Sequence, residues 1–359
     1  MSNINKDLLK AMKGVEKKFG KTMSNFATEI EEKEIVSYST GSKLIDLAIG
    51  SGQRAGLPEG RMIELYGAES VGKSTIALLA IAERQRIENK KSEEDPEYEK
   101  KVCVFIDSEF ALDTDLAVEY GVDLSELIIV RSDQAEDAMD ILDSYIRTGG
   151  VGLAVVDSVS ALIPSQIEQS SYHQQTMAVL ARFMSQLTAR MTGPAWKSGT
   201  TILFINQIRE QPGKWAPHGQ VATTTPGGRA LKYHSTVRLE VRRGETLGAV
   251  DNPKGHVMNI KVVKNKIDIP GRTAAVKLHY GIGVDTVEEL GEIAIAYGII
   301  HQGGAWFKAI DKETGELLEF EGEAANFQGR DKLFTAIEEN TELREYIEKQ
   351  IDGFELEED

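Results

Sequence analysis

Between Arg61 and Asn206 the chain alternates short apolar runs with longer amphipathic stretches. Arg61–Tyr66, Lys101–Asp107, Val151–Asp157 and Thr200–Asn206 are near-continuous apolar runs, with cores such as VCVFID, GLAVVD and TILFIN. Ser74–Arg86, Ala135–Thr148 and Met177–Arg190 instead repeat their apolar residues at helical spacing. Strands with no polar face are strands covered on both sides. The pattern therefore predicts an α/β fold with a mostly parallel central sheet under helices.

After Ser235 the rhythm changes. Ser235–Arg243, His256–Lys264 and Ala274–Tyr280 alternate without helices between them and read as antiparallel additions to the sheet edge. From about Asp285 a helix-rich segment follows, with a turn at Gly303-Gly304 and a hairpin-like Asp311–Gly315. It is expected to form a small α+β C-terminal domain. At the other end, Ile4, Leu8, Leu9, Met12, Val15 and Phe19 fall at helical spacing, with lysines between them and Gly20 as a stop. A helix with one apolar stripe needs a surface to dock on, its own core or a neighbour's. The expected organisation is an N-terminal helix and linker (1–37), a core (38–284), a C-terminal domain (285–345) and an acidic tail (346–359).

Composition adds limits. With 359 residues, 41% of them hydrophobic and 27% charged, the chain reads as an ordinary globular protein. The lone cysteine, Cys103, excludes an internal disulfide framework and sits in an apolar run, so it is read as core. No run approaches the ~18 apolar residues of a membrane span, and the lysine-rich start lacks a signal-peptide apolar region. A cytoplasmic protein without a membrane partner is expected. The net charge of −16 looks unfavourable for a nucleic-acid partner. Phosphate, however, responds to the field within roughly 10 Å at physiological salt. Much of the acid is concentrated in Ser92–Glu99, read as a solvated hinge, and in the five acids of Asp352–Asp359.

The sharpest motif is Gly67-Ala68-Glu69-Ser70-Val71-Gly72-Lys73-Ser74, followed by Thr75, between an expected strand and an expected helix. It is a P-loop: glycines let backbone N–H groups and the helix N-terminus face phosphate oxygens. Lys73 would reach the β- and γ-phosphates of ATP, and the Ser74 hydroxyl would join the Mg2+ shell. The neighbouring strand ends supply the rest, since ligands sit beyond the carboxyl ends of such strands. Asp157 would hold Mg2+ through water. Asp107-Ser108-Glu109 offers a carboxylate to orient an attacking water. Asn206-Gln207 offers an amide that could sense the γ-phosphate.

Four runs taken together, Phe105–Asp113, Val155–Leu162, Phe204–Arg209 and Val262–Ile267, resemble the RecA family of homologous-recombination ATPases. The resemblance extends from about Val15 to the acidic tail and is strongest over residues 38–282. It implies that Glu109 is the catalytic glutamate, Gln207 the γ-phosphate sensor, and Lys264 and Lys266 lysines that reach a neighbouring subunit's nucleotide. Helical filaments on single-stranded DNA, pairing with a homologous duplex, would follow. Pro164–Thr176 and Glu210–Pro226 match the family's DNA-binding loops, and Met177, Arg182, Arg209, Lys214, Trp215, Gly227 and Gly228 match DNA-facing positions. A cation, a flat ring and exposed amides suit phosphate contact and base-step insertion.

The sequence also departs from the family. The family stacks adenine between two tyrosines. Tyr280 matches one, while Leu116 stands at the other position, and Asp113 remains as an acceptor for the adenine amino group. Base selectivity is accordingly expected to be looser. The DNA loops are longer than usual, Pro212 replaces a loop isoleucine, and the C-terminal segment near His301–Lys308 lacks most of the expected lysines. These changes mark a divergent member of bacterial or viral origin. The alternative readings are a RecA-fold helicase or ring ATPase without strand exchange, and a small-molecule kinase, for which no lid-like arginine cluster is seen.

Overall fold

The computed structural model describes residues 5–19, 34–168, 177–215, 221–249, 251–311 and 314–353. Contacts divide the chain into residues 1–35 and 36–359. The first unit contains helix α1 (Lys6–Phe19), with Asp7 in its first turn and Lys17 and Lys18 in its last. Those charges oppose the helix dipole at both ends. Leu8, Leu9 and Val15 of this helix are exposed.

The larger unit is organised on a nine-stranded sheet. Its first five strands are β1 (Met62–Gly67), β2 (Val102–Asp107), β3 (Leu127–Val130), β4 (Val151–Asp157) and β5 (Thr201–Gln207). A separate two-stranded ribbon follows, β6 (Arg209–Trp215) and β7 (Val221–Thr224). The sheet then resumes with β8 (Val237–Ala249), β9 (Asn252–Asn265), β10 (Thr273–His279) and β11 (Gly283–Val284). The spatial order is β11-β10-β9-β8-β1-β5-β4-β2-β3. From β8 to β3 every pairing is parallel, and β9, β10 and β11 extend one edge antiparallel. The mostly parallel α/β sheet is as the apolar runs require.

The helices of this unit begin with α2 (Lys43–Ile49), α3 (Lys73–Glu94), α4 (Thr114–Glu119) and α5 (Ala135–Thr148). They continue with α6 (Ser165–Glu168), α7 (Met177–Ser198), α8 (Ala230–His234), α9 (Thr286–Ala296), α10 (Arg330–Glu339) and α11 (Thr341–Gly353). Alternate strand residues point to opposite faces. Val104, Ile106, Ala154, Val156, Ile202 and Phe204 join Leu142, Ile146, Met184 and Met191 of α5 and α7 in one buried cluster. The intervening residues Ile63, Leu65, Phe105, Leu153 and Val155 are equally buried. On that other face Cys103 Sγ lies 4.0 Å from the Ile81 carbonyl of α3. A second cluster gathers α9, α10 and α11 around Ile293, Leu333, Ile337 and Ile347, with Leu47 from α2. It packs against a three-stranded sheet of β12 (Ile300–Gly303), β13 (Trp306–Ala309) and β14 (Asn326–Gln328).

Several elements depart from expectation. α3 continues into the acidic stretch as far as Glu94, and Tyr98 anchors the following residues by donating to Glu88 at 2.8 Å. α7 passes through Pro194 to Ser198, because Ala195 is a fully buried part of its packing face. β3 and α4 were not anticipated; a four-residue strand and a six-residue helix are too short to carry a period. α11 runs to Gly353 and buries Ile347 and Ile351, within the stretch read as a tail. Glu210–Pro226, read as a loop without periodicity, contains the β6–β7 ribbon, whose register pairs Arg209 with Thr224 and Trp215 with Val221.

One buried ion pair crosses the sheet. Arg238 Nε on β8 donates to Glu64 Oε2 on β1 at 2.6 Å, and the Asn206 amide on β5 donates to Glu64 Oε1 at 3.1 Å. The Arg238 guanidinium also lies over the Tyr66 ring, 4.7 Å from its centroid. Removing one member of such a pair strands the other charge. Glu64→Ala should therefore lose about 3–5 kcal/mol of unfolding free energy in urea titration, and Glu64→Leu with Arg238→Met should recover much of it. A double variant no better than the single would deny the pairing.

A second buried acid predicts a pH dependence. Glu289 of α9 accepts from Ser42 Oγ at 2.7 Å and from the Lys43 amide at 2.6 Å. Burial nevertheless pushes its carboxyl up to about 7. The folded state therefore holds this proton over a range in which the unfolded chain, near 4.5, has released it. Its contribution to stability is complete below about 4.5 and is lost as pH rises through about 7. Glu289→Gln should flatten the slope of stability between pH 5 and 7.5 in urea titrations; an unchanged slope would place the titration elsewhere.

Candidate nucleotide-binding site

The register of the parallel strands decides what meets at their carboxyl ends. β1 pairs with β5 so that Gly67 faces Gln207, and β2 pairs with β4 so that Asp107 faces Asp157. The first residue of the P-loop, the amide residue and both strand-end acids thus share one edge of the sheet. The loop turns into α3 through Gly72, which caps the helix with φ +98°. A side chain there would be strained, and its Cβ would come within 2.4 Å of Met258 Sδ. Only glycine lets the backbone make this turn against β9.

Lys73, the first residue of α3, is buried, and its ammonium folds back onto the Gly67 and Ala68 carbonyls. Burial lowers its pKa, opposed by the carboxylates of Asp157, Glu109 and Glu69. Ser74 Oγ donates to Asp157 Oδ2 at 2.7 Å. Burial raises the Asp157 carboxyl to about 6; Ser74 and Lys73 lower it, while Glu109 and Asp107 raise it. A hydroxyl paired with one carboxylate at a phosphate loop suits Mg2+, which keeps several waters and takes few protein ligands. No group of three or more His, Cys, Asp or Glu able to hold a metal is found among the described residues. Thr75 follows Ser74 on the first turn of α3 and lines the same cleft.

The two strand-end acids of β2 divide the work. Asp107 is buried and accepts from the Ala111 and Leu112 amides and from Arg131 Nε at 2.9 Å, so it shapes its own loop. Glu109 is exposed at the edge. Its Oε1 accepts from Ser158 Oγ at 2.5 Å and from Gln207 Nε2 at 3.3 Å. Glu109 and Gln207, read separately from the sequence, are therefore hydrogen-bonded neighbours. Ser158 was missed. It is buried beside Asp157 and fixes the Glu109 carboxylate, and its one sequence signal is a hydroxyl directly after a strand-end acid.

A cleft of about 330 Å3 runs from Ser70, Lys73 and Ser74 to Tyr280. Arg243 Nη2 donates to the Tyr280 hydroxyl at 2.8 Å. His256, also missed, lies 3.3 Å from that hydroxyl through Nδ1 and 3.4 Å from the Val71 carbonyl through Nε2. Asp113 caps α4 by accepting from the Asp115 and Leu116 amides at 3.0 and 3.1 Å. A larger depression of about 560 Å3, near Phe320, Asp331 and Leu343, gathers no phosphate loop.

The expected DNA-facing residues fall on neighbouring elements. Arg182 and Arg209 are exposed. Gly227 and Gly228 follow β7 and seat on α7, where a Cβ on Gly228 would meet Ala181 Cβ at 2.8 Å. The side chains of Met177, Lys214 and Trp215 lie outside the described residues. Lys264 on β9 donates to the Lys232 and Tyr233 carbonyls at 2.7 and 3.0 Å, and burial lowers its pKa to about 8. Lys266 follows two residues on, its backbone N–H donating to Thr236.

A model of the RecA N-terminal domain matches residues 6–285. The chain belongs to the RecA family. It is 38% identical to Protein RecA of Macrococcus caseolyticus over 351 residues, covering 98% of this chain and 91% of that one. It is 38% identical to Protein RecA of Bacillus anthracis over 337 residues, covering 94% and 90% of the two chains. The same identity holds to Protein RecA of Fusobacterium nucleatum over 341 residues, covering 95% and 82%. No helix among the described residues of this RecA-family chain is long and apolar enough to cross a membrane.

The Glu109 environment generates a direct test. Glu109→Gln keeps the shape but removes the proton acceptor, and should slow ATP hydrolysis by about 10²–10⁴-fold while nucleotide binding persists. Lys73→Ala should lose both. Phosphate release and equilibrium binding measured on the same preparations separate the two; Glu109→Gln turnover within a few-fold of the parent would remove Glu109 from this role.

Proposed function

We propose that the chain is an ATP-dependent DNA strand-exchange recombinase. It polymerises on single-stranded DNA, pairs it with a homologous duplex and hydrolyses ATP in doing so. ATP phosphates lie on Gly67–Thr75, with Lys73 at the β/γ bridge. Ser74 and, through water, Asp157 would hold Mg2+, which would supply charge neutralisation for the phosphates. Glu109 takes a proton from the attacking water as its oxygen bonds to the γ-phosphorus and the bond to the ADP oxygen breaks. Gln207 meets the γ-phosphate and exchanges its bond to Glu109 for one to the phosphate. Asp113 and Tyr280 receive the base.

The observation that carries this reading is the continuity of β5 with the ribbon. Gln207 hydrogen-bonds Glu109, and two residues later Arg209 opens β6. Asn206 holds the far end, donating to the Pro226 carbonyl at 3.1 Å, just before Gly227 and Gly228. A change at the phosphate edge thus reaches both ends of a segment bearing Arg209, Lys214, Trp215 and the glycine pair, with Met177 and Arg182 on the adjoining helix. Such a segment suits phosphate contact and base stacking.

Lys264 and Lys266 complete the site of the next subunit in the filament. In the single chain Lys264 caps the end of α8, and it exchanges those carbonyls for the neighbour's phosphates on assembly. The test is ATP turnover with and without single-stranded DNA, beside negative-stain images. Stimulation of turnover together with extended filaments is expected; a ring, or turnover indifferent to DNA, would favour a helicase-like motor instead. Lys264→Ala with Lys266→Ala should fold as the parent does but lose filaments and DNA-stimulated turnover together. Intact filaments from that double variant, formed with a slowly hydrolysed ATP analogue, would show that these lysines bridge nothing.

A further inference from the structure

The cleft beside the P-loop has two chemically different ends. One is polar, at Ser70, Lys73 and Ser74. The other is formed by Leu116, Tyr120, Leu278, Tyr280 and Gly281. Tyr120 follows α4 as its C-terminal cap, its amide bonded to the Leu116 and Val118 carbonyls. Residues four apart on a helix share a face, so Tyr120 stands one turn beyond Leu116 on the same wall. Its ring is backed by Gly283: a Cβ there would lie 3.0 Å from Tyr120 Cε1 and 3.2 Å from Cδ1, at φ +90°. Gly283 comes three residues after Tyr280 and opens β11, directly beyond the turn that leaves β10. The short stretch from Tyr280 to Gly283 therefore carries one tyrosine and supports the ring of the other. Tyr280 is 46% exposed, with its hydroxyl tethered by Arg243 and His256. Tyr120 is half-buried. Neither ring is consumed by the core.

A flat, partly exposed aromatic surface at the far end of a phosphate site is what the base of a nucleotide requires. We propose that Tyr120 is a base-stacking residue of this site, supplying with Tyr280 the aromatic surface for the base whose phosphates rest on the P-loop. The inference rests on the nucleotide reading above and goes beyond it. The aliphatic Leu116 does not leave the site without a second ring; the ring comes from one helical turn later. Stacking of the base is then retained rather than lost.

The experiment compares the affinities of MgATP and of magnesium tripolyphosphate, which has no base, by calorimetry. Tyr120→Leu should weaken MgATP about tenfold, as expected for loss of one base–aromatic contact, and leave tripolyphosphate unchanged. Tyr120→Phe should match the parent, and Leu116→Tyr with Tyr120→Leu should restore binding by returning the ring to the earlier turn. Parent-like MgATP affinity in Tyr120→Leu, with Lys73→Ala losing it, would overturn the proposal and leave the nucleotide site standing. Equal losses for both ligands would also overturn it, since Tyr120 would then act through the P-loop. A parent that binds neither ligand would overturn the nucleotide reading itself. A readout free of substitutions is available if Tyr120→Leu does not fold. Bound ATP should give nuclear Overhauser contacts from its base protons to two tyrosine rings, and contacts to one ring only would refute the assignment.

Discussion

Glu64 lies fully buried in the middle of the sheet, and a carboxylate there must be paired or become neutral. It is paired from both sides, by Arg238 of β8 and Asn206 of β5. That arrangement does more than satisfy a charge. β1 carries the P-loop at its end, β5 carries Gln207, and β8 lies beside Lys264 through the register of Arg238 with Lys264. One carboxylate therefore ties together the strand that leads into the P-loop, the strand that leads into the ribbon, and the edge that carries Lys264. The candidate site residues at the sheet edge have fixed spacing because the strands beneath them are tied in register.

Much of the architecture was legible because a parallel sheet buried on both faces leaves a strong pattern. The runs VCVFID, GLAVVD and TILFIN have no polar face, and the strands they form differ from expectation by a residue or less. The P-loop was legible for a different reason: its chemistry demands particular residues at adjacent positions. What escaped notice was whatever depends on contact between distant segments. Ser158 is one hydroxyl among many until the fold sets it against Glu109. His256 reads as one alternating residue of an edge strand until it reaches both Val71 and Tyr280. Tyr120 caps a helix too short to announce itself, and its ring packs against Gly283, far along the chain.

The ribbon of β6 and β7 illustrates the opposite difficulty. Its two strands pair through their backbones at Arg209 and Thr224, and at Trp215 and Val221, yet the sequence QPGKW carries no alternating apolar face. Periodicity reports burial, not hydrogen bonding. A strand pair whose sequence carries no apolar alternation is invisible to such a pattern, although the backbone forms it readily.

Cys103 is the chain's one cysteine. It is fully enclosed, and burial pushes its thiol up to about 12. Reaction with maleimides or iodoacetamides proceeds through the thiolate, so the folded protein offers such reagents almost nothing to react with. The natural sequence is thus already a silent background for site-specific labelling. A single cysteine introduced on an exposed position would carry the only reactive sulfur in the molecule, and two would give a defined donor–acceptor pair without first removing a native residue from the core.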